Sequence, residues 1–139
     1  MFDLTPLTVF MRFLHLACMA TLVGGLVFAR LVMTHTLRFV PPEVHDALED
    51  RAVHTFRPLA IVAMIGLALS GIYQFYSSTG HSLRHNLLFG LKMALALHLF
   101  SAAILMARPG NPRRVRIMSG AVISGLAIVL ISALLRQIY

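Results

Sequence analysis

Polar positions fall in bands along this chain, and between the bands lie four runs with almost no charge. The first run, Phe13 to Ala29, is closed by Arg12 and Arg30. As a helix it spans roughly 26 Å at about 1.5 Å per residue. A bilayer core is about 30 Å thick, and the arginine side chains can close the gap by reaching for the interface. The pattern predicts a helix over about residues 8–33. Later runs predict helices over about 58–76, 86–106 and 115–135. Ser77-Ser78-Thr79-Gly80 reads as a turn. Arg108-Pro109-Gly110-Asn111-Pro112 ends the third helix sharply. One connection is long, residues 34–57, and it holds Glu43, Asp46, Glu49 and Asp50, four of the five acids. There Pro41-Pro42-Glu43 reads as the start of a short charged helix over 43–56. The expectation is one all-α domain, residues 1–139, built as a four-transmembrane-helix up-down bundle.

Small residues four apart mark faces where helices can approach closely: Ala20/Gly24, Gly66/Ser70, Gly120/Ser124 and Ala121/Gly125. No internal repeat stands out at this level.

Composition turns a helical bundle into a membrane one. The chain is 58% hydrophobic and 12% charged, with mean hydropathy +0.82, against about 45–50% and about 25% for soluble domains. The N-terminus lacks a basic leader and a small-residue cleavage site, so the first helix is expected to stay in the mature protein. The net charge is +7, but the arginines sit at helix ends. That points to orientation and lipid headgroups, not nucleic acid. Eight lie on the first and third connections: Arg30, Arg38, Arg51, Arg57, Arg108, Arg113, Arg114 and Arg116. Only Arg12, Arg84, Lys92 and Arg136 lie opposite. The asymmetry puts both termini on the outer, periplasmic side of a bacterial inner membrane. The one cysteine, Cys18, forms no internal disulfide, and the absence of CxxCH argues against covalent haem attachment.

Candidate chemistry rests on a few polar side chains within the spans. A histidine in an apolar span is a functional-site hypothesis by default, and His15 and His98 are two, on separate helices. Haem b takes axial histidines from facing helices and a greasy slot for the macrocycle. The expected ligand pair is therefore His15 with His98, at depths that differ by roughly 7 Å. His35 and His54 form a fallback pair nearer the cytoplasm, and would make a second haem conceivable. Lys92, Arg12 and Arg84 share the outer side, where they could hold haem propionates, quinone headgroups or lipid phosphates. His81 and His85 are expected in a solvated outer loop. Histidine and methionine together (Met11 and Met19 beside His15) would also suit copper.

Three stretches carry a family likeness. They are Leu14-His15 with Gly24-Gly25-Leu26, Arg30-Leu31 and His35; Glu49-Asp50-Arg51 leading to Pro58 and Gly66; and Gly90-Leu91-Lys92. Over about residues 12–106 the chain resembles the HemJ/CopD-type four-helix membrane family. That family covers HemJ-type protoporphyrinogen oxidases and the membrane domain of copper-resistance protein D. Helix 4 departs from it in lacking a polar Arg/Asn/Glu/Pro motif, and no tryptophan lies near the first histidine. The resemblance implies a haem-binding or metal-handling bundle with His15 and Lys92 at the matching positions.

Three functional expectations follow. The first is a b-type cytochrome, transferring electrons as a small subunit of a membrane redox complex or as a homo-oligomer. The second is a HemJ-type protoporphyrinogen IX oxidase, with a porphyrin as substrate. The third is a CopD-type copper permease.

Overall fold

A computed structural model describes residues 5–77 and 82–137. Four helices make up nearly all of it, and the described residues include no strand. We label them α1 (Pro6–Phe39), α2 (Pro42–Ser77), α3 (Leu83–Met106) and α4 (Arg114–Gln137). All four are long and apolar enough to cross a membrane, the architecture of a multi-pass integral membrane protein. Large apolar side chains such as Phe13, Leu16, Val62, Leu97 and Ile123 face outward, as a lipid-facing surface requires.

The helices form two hairpins. α1 packs chiefly on α2 and α3 chiefly on α4; the hairpins meet along α1 and α4, and α2 and α3 scarcely touch. The up-down course puts the start of α1 and the finish of α4 at one end of the bundle, here the terminal end. The α1–α2 and α3–α4 connections lie at the other, the basic end. Leu22, Leu99, Met118 and Ser70 are the largest fully buried side chains. Glycines set two of the contacts. A Cβ on Gly25 would fall within the Phe56 ring of α2, and one on Gly125 of α4 would meet Val23 Cγ2 at 3.1 Å. Gly24 faces open space, and Ala20 beside it is exposed. The Ala20/Gly24 face therefore points outward, and its neighbour Gly25 makes the close approach.

Boundaries depart from the sequence reading at both ends of α1, at the start of α2 and at the start of α3. α1 begins at Pro6, because Thr5 caps it by accepting from the Thr8 N–H and proline suits the first turn. It also runs on past Met33 through a π-turn at Ala29–Met33 and a last 3₁₀ turn at Leu37–Phe39. The Thr34 hydroxyl donates to Ala29 O within that π-turn at 2.9 Å. The larger departure is α2. Residues 43–56 are not a separate connection; they continue through Pro58 into the span as one helix of 36 residues. Proline removes one N–H, orphaning the His54 carbonyl, but His54 is exposed and water can serve that oxygen. At about 1.5 Å per residue α2 is roughly 54 Å long. Its charged first third therefore projects beyond the apolar part.

That extension is clamped to the second hairpin. Arg114, the first residue of α4, is buried and donates to Met106 O at 3.2 Å and Arg108 O at 2.8 Å. The same Nη2 that serves Arg108 O also donates to Asp50 at 2.5 Å, and Nη1 lies 3.7 Å from Glu49, both on α2. The turn in between is made by Gly110 at φ 64°, a left-handed conformation that glycine adopts without penalty. The Gly110 N–H also points at Asp50. The hydrogen bond from the Arg114 guanidinium holds the Asp50 carboxyl below its ordinary range. Closer to the span, Arg30 Nε–H donates to Ser119 Oγ at 2.7 Å, tying α1 to α4.

Candidate functional site

In the terminal-end half of the bundle, α1 and α2 share a ladder of polar side chains. Thr8 and Tyr73 hydroxyls lie 3.1 Å apart. Two turns further along α1, His15 Nδ1 lies 2.9 Å from Ser70 Oγ. Ser70 is fully buried, and its hydroxyl donates to Gly66 O, four residues back, at 2.5 Å. A hydroxyl has one proton. Because that proton goes to Gly66 O, Ser70 Oγ accepts from His15, which fixes the proton on Nδ1. Nε2 is then left with its lone pair. The half-buried ring lies against Gly71, where a Cβ would stand 3.9 Å from Cε1.

Lys92, half-buried on α3, is the charge that acts on this histidine. It has no hydrogen bond or ion pair with any described residue, and the described part of the terminal-end half contains no carboxylate. His15 and Lys92, singled out separately in the sequence, thus lie within range of each other's charge.

His98 is not part of it. Its Nδ1 lies 2.8 Å from Ser124 Oγ on α4, and the ring is exposed on the outside of the second hairpin. Val23 and Gly125 are level with each other. From that level His15 is eight residues towards the terminal end and Ser124 one residue the other way. The two histidines therefore differ in depth by about nine residues, roughly 14 Å, twice the expected mismatch. They also sit on different hairpins. The pairing of His15 with His98 across one macrocycle has no support in this arrangement.

The other candidates scatter. His35 is exposed and meets Phe39 edge-on, with centroids 5.8 Å apart; no contact joins it to His54. His54 is exposed at the basic end, where it lines a cleft. Arg12 and Arg84 are exposed near the terminal end. His85 does not lie in a solvated loop. Ser82 caps α3, accepting from the His85 N–H, so the helix begins at Leu83 and His85 falls buried in its first turn. Its ring stacks on Phe89, with centroids 6.5 Å apart, and Phe89 in turn stacks on Phe75 at 4.7 Å. His81 and the predicted turn at 78–80 lie outside the described residues. His45, Asp46 and Glu49 group their ligand atoms within 4.8 Å on α2; Asp46 is fully exposed and Glu49 also faces Arg114.

A serine or a backbone carbonyl within the bundle is the ordinary partner expected for a histidine in a span, and serines are what His15 and His98 both take. Which serine each takes also has a signal in the sequence. Leu14-His15-Leu16 on α1 is repeated as Leu97-His98-Leu99 on α3. Gly66-Leu67-Ala68-Leu69-Ser70-Gly71 on α2 is repeated as Gly120-Ala121-Val122-Ile123-Ser124-Gly125 on α4. Each hairpin holds the histidine of its first helix on the serine of its second. A glycine lies beside each ring, Gly71 for His15 and Gly120 for His98. The repeat is short, and the two connections differ in length, so it emerges only once the hydrogen bonds pair the motifs.

No protein-family model, curated protein or solved structure matches the chain.

Proposed function

We propose that the chain is a haem b-binding integral membrane protein of the electron-transfer type. In this reading His15 Nε2 would hold the haem iron and Lys92 would serve its propionates. The observation that supports it most is the Ser70 hydroxyl. By accepting from Nδ1–H it fixes the imidazole tautomer and orientation, the arrangement that metal-ligating histidines use. Lys92 adds a second reason. An ammonium within a span is unfavourable by about 2.5–3.5 kcal/mol on insertion scales, and an acidic ligand would offset that. Haem offers both complements: a metal for the lone pair and two carboxylates for the charge. When bound it supplies a one-electron couple, tuned by its ligand and surroundings.

The chain's own residues then hold, orient and desolvate the group. One histidine of this chain serves it, since His98 belongs to the other hairpin. Among the described residues, little apart from the α2 extension lies outside the spans. This favours a small redox subunit working beside a partner in a bacterial inner membrane, with the basic end in the cytoplasm.

The test is titration of the purified protein with haem b. Wild type is expected to bind with a shifted Soret band. Ser70→Ala should weaken binding by about 10–100-fold, as loss of a ligand-orienting partner does. Lys92→Gln should also weaken haem binding, while leaving a metalloporphyrin without propionates unaffected. Binding that is indifferent to His15→Ala would overturn the assignment. Copper bound in place of haem would favour the copper-handling reading. Rescue of a strain lacking protoporphyrinogen oxidase would favour the porphyrin as substrate.

A further inference from the structure

At the basic end a cleft of about 340 Å³ opens between the α2 extension and the α3–α4 turn. Asp50, Val53, His54 and Arg57 line one side; Ala107, Pro109 and Arg114 line the other. Its charges are unequally used. Arg114 is spent on two backbone carbonyls and on Asp50 and Glu49. Asp50, the one acid in the wall, is neutralised by Arg114 and by the Gly110 N–H. His54 and Arg57 are three residues apart on α2 and so share a face. Neither has an ion pair or side-chain hydrogen bond to any described residue, and both are exposed. Arg57 is therefore the cation of the cleft that no acid among the described residues engages, and it lies beside apolar lining from Val53, Ala107 and Pro109.

Its position narrows the ligand. Arg57 is the last charged residue of α2 before the apolar span that starts at Pro58. The cleft thus sits where headgroups meet hydrocarbon. Basic pockets between helices at this level suit phosphate headgroups, and arginine suits phosphate oxygens in particular. We propose that this cleft binds the phosphate of an anionic membrane lipid, with Arg57 as the principal contact and His54 as the second. The lipid would bridge the two hairpins on the side where the Arg114 clamp already joins them. A water-soluble phosphate could use the same two side chains, but it has no use for the apolar lining.

The experiment uses the full-length protein in mixed vesicles of phosphatidylcholine and phosphatidylglycerol. It reads the lipids retained after extraction into mild detergent by native mass spectrometry. Wild type is expected to retain phosphatidylglycerol over phosphatidylcholine. Arg57→Gln should lower that preference by about fivefold, and adding His54→Gln should lower it further. Arg38→Gln, an exposed arginine at the same end but outside the cleft, should leave it unchanged. Arg57→Lys, which keeps the charge, should restore part of the preference and so separate binding from folding. Equal retention of the two lipids by wild type overturns the proposal, as does a preference indifferent to Arg57→Gln and His54→Gln. Inorganic phosphate that binds in the cleft, with no preference among lipids, overturns the lipid as its source.

Discussion

Arg114 offers the sharpest test of how the two hairpins are held. Replacement by Met keeps the side chain's bulk and removes its fork of donors. Three hydrogen bonds are lost: to Met106 O, Arg108 O and Asp50. A hydrogen bond to a charged group contributes about 1.5–3 kcal/mol, and such values do not add. The Arg108 carbonyl lies in an exposed turn, where water recovers part of the loss, whereas the Met106 carbonyl is buried at the end of α3. The better-buried Arg114 is itself replaced, and the partly exposed Asp50 left behind can be solvated. We therefore expect roughly 2–4 kcal/mol of destabilisation, at the low end of what breaking a buried ion pair usually does. Arg114→Lys should recover less than half of this, because one ammonium cannot fork between two carbonyls and a carboxylate. The assay is reversible unfolding in mixed micelles, followed by helical circular dichroism as denaturing detergent is raised. A loss below about 0.5 kcal/mol, the range of an inconsequential surface change, would refute the clamp. Full recovery by lysine would show that charge alone matters.

The same clamp gives a pH dependence. Asp50 is held below its ordinary value of 3.8 by Arg114, so its contribution is fully present above that value. It is lost as pH falls through the lower, folded value. Unfolding midpoints should therefore drop below about pH 4 in wild type, and the Asp50 part of that drop should shrink in Arg114→Met, where the Gly110 N–H is left as the carboxyl's donor. At the α1–α4 contact, Gly125→Leu should force Val23 aside and destabilise by about 1–3 kcal/mol; unfolding unchanged from wild type would show that the helices do not approach there. His98→Ala should leave haem titration of the His15 site intact, since Ser124 and Ser70 hold their histidines on different hairpins; loss of haem in that variant would restore the two-histidine pairing.

Much of the fold was legible because the spans are long and their ends are marked by arginine, proline and glycine. What failed at the ends did so for local reasons. Pro58 looked like the first residue of a separate helix, yet a proline whose orphaned carbonyl is reached by water can sit inside a continuous one. Asn86 looked like the start of α3, but Ser82 caps it four residues earlier and carries His85 inside. Of the site, His15 and Lys92 could be picked out as polar groups in apolar spans, one residue at a time. That they lie within range of each other's charge could not be seen, since it depends on which helices become neighbours and at what depth. Ser70 was visible as a small residue suited to packing, and a serine as an ordinary partner for a span histidine, but not which serine would meet which ring. Its chemical part, accepting from Nδ1 while donating to Gly66 O, required both helices in place. The depth of His98 was misjudged for a related reason: counting from uncertain helix ends gave half the offset that the Val23–Gly125 contact fixes.

The central claim is that His15 ligates haem. It is tested most directly by reduced-minus-oxidised absorption spectra of membranes containing wild type, His15→Ala or His98→Ala at equal protein level. The account predicts a b-type difference spectrum in wild type, its loss in His15→Ala and its retention in His98→Ala. A full, unshifted signal in His15→Ala would contradict it.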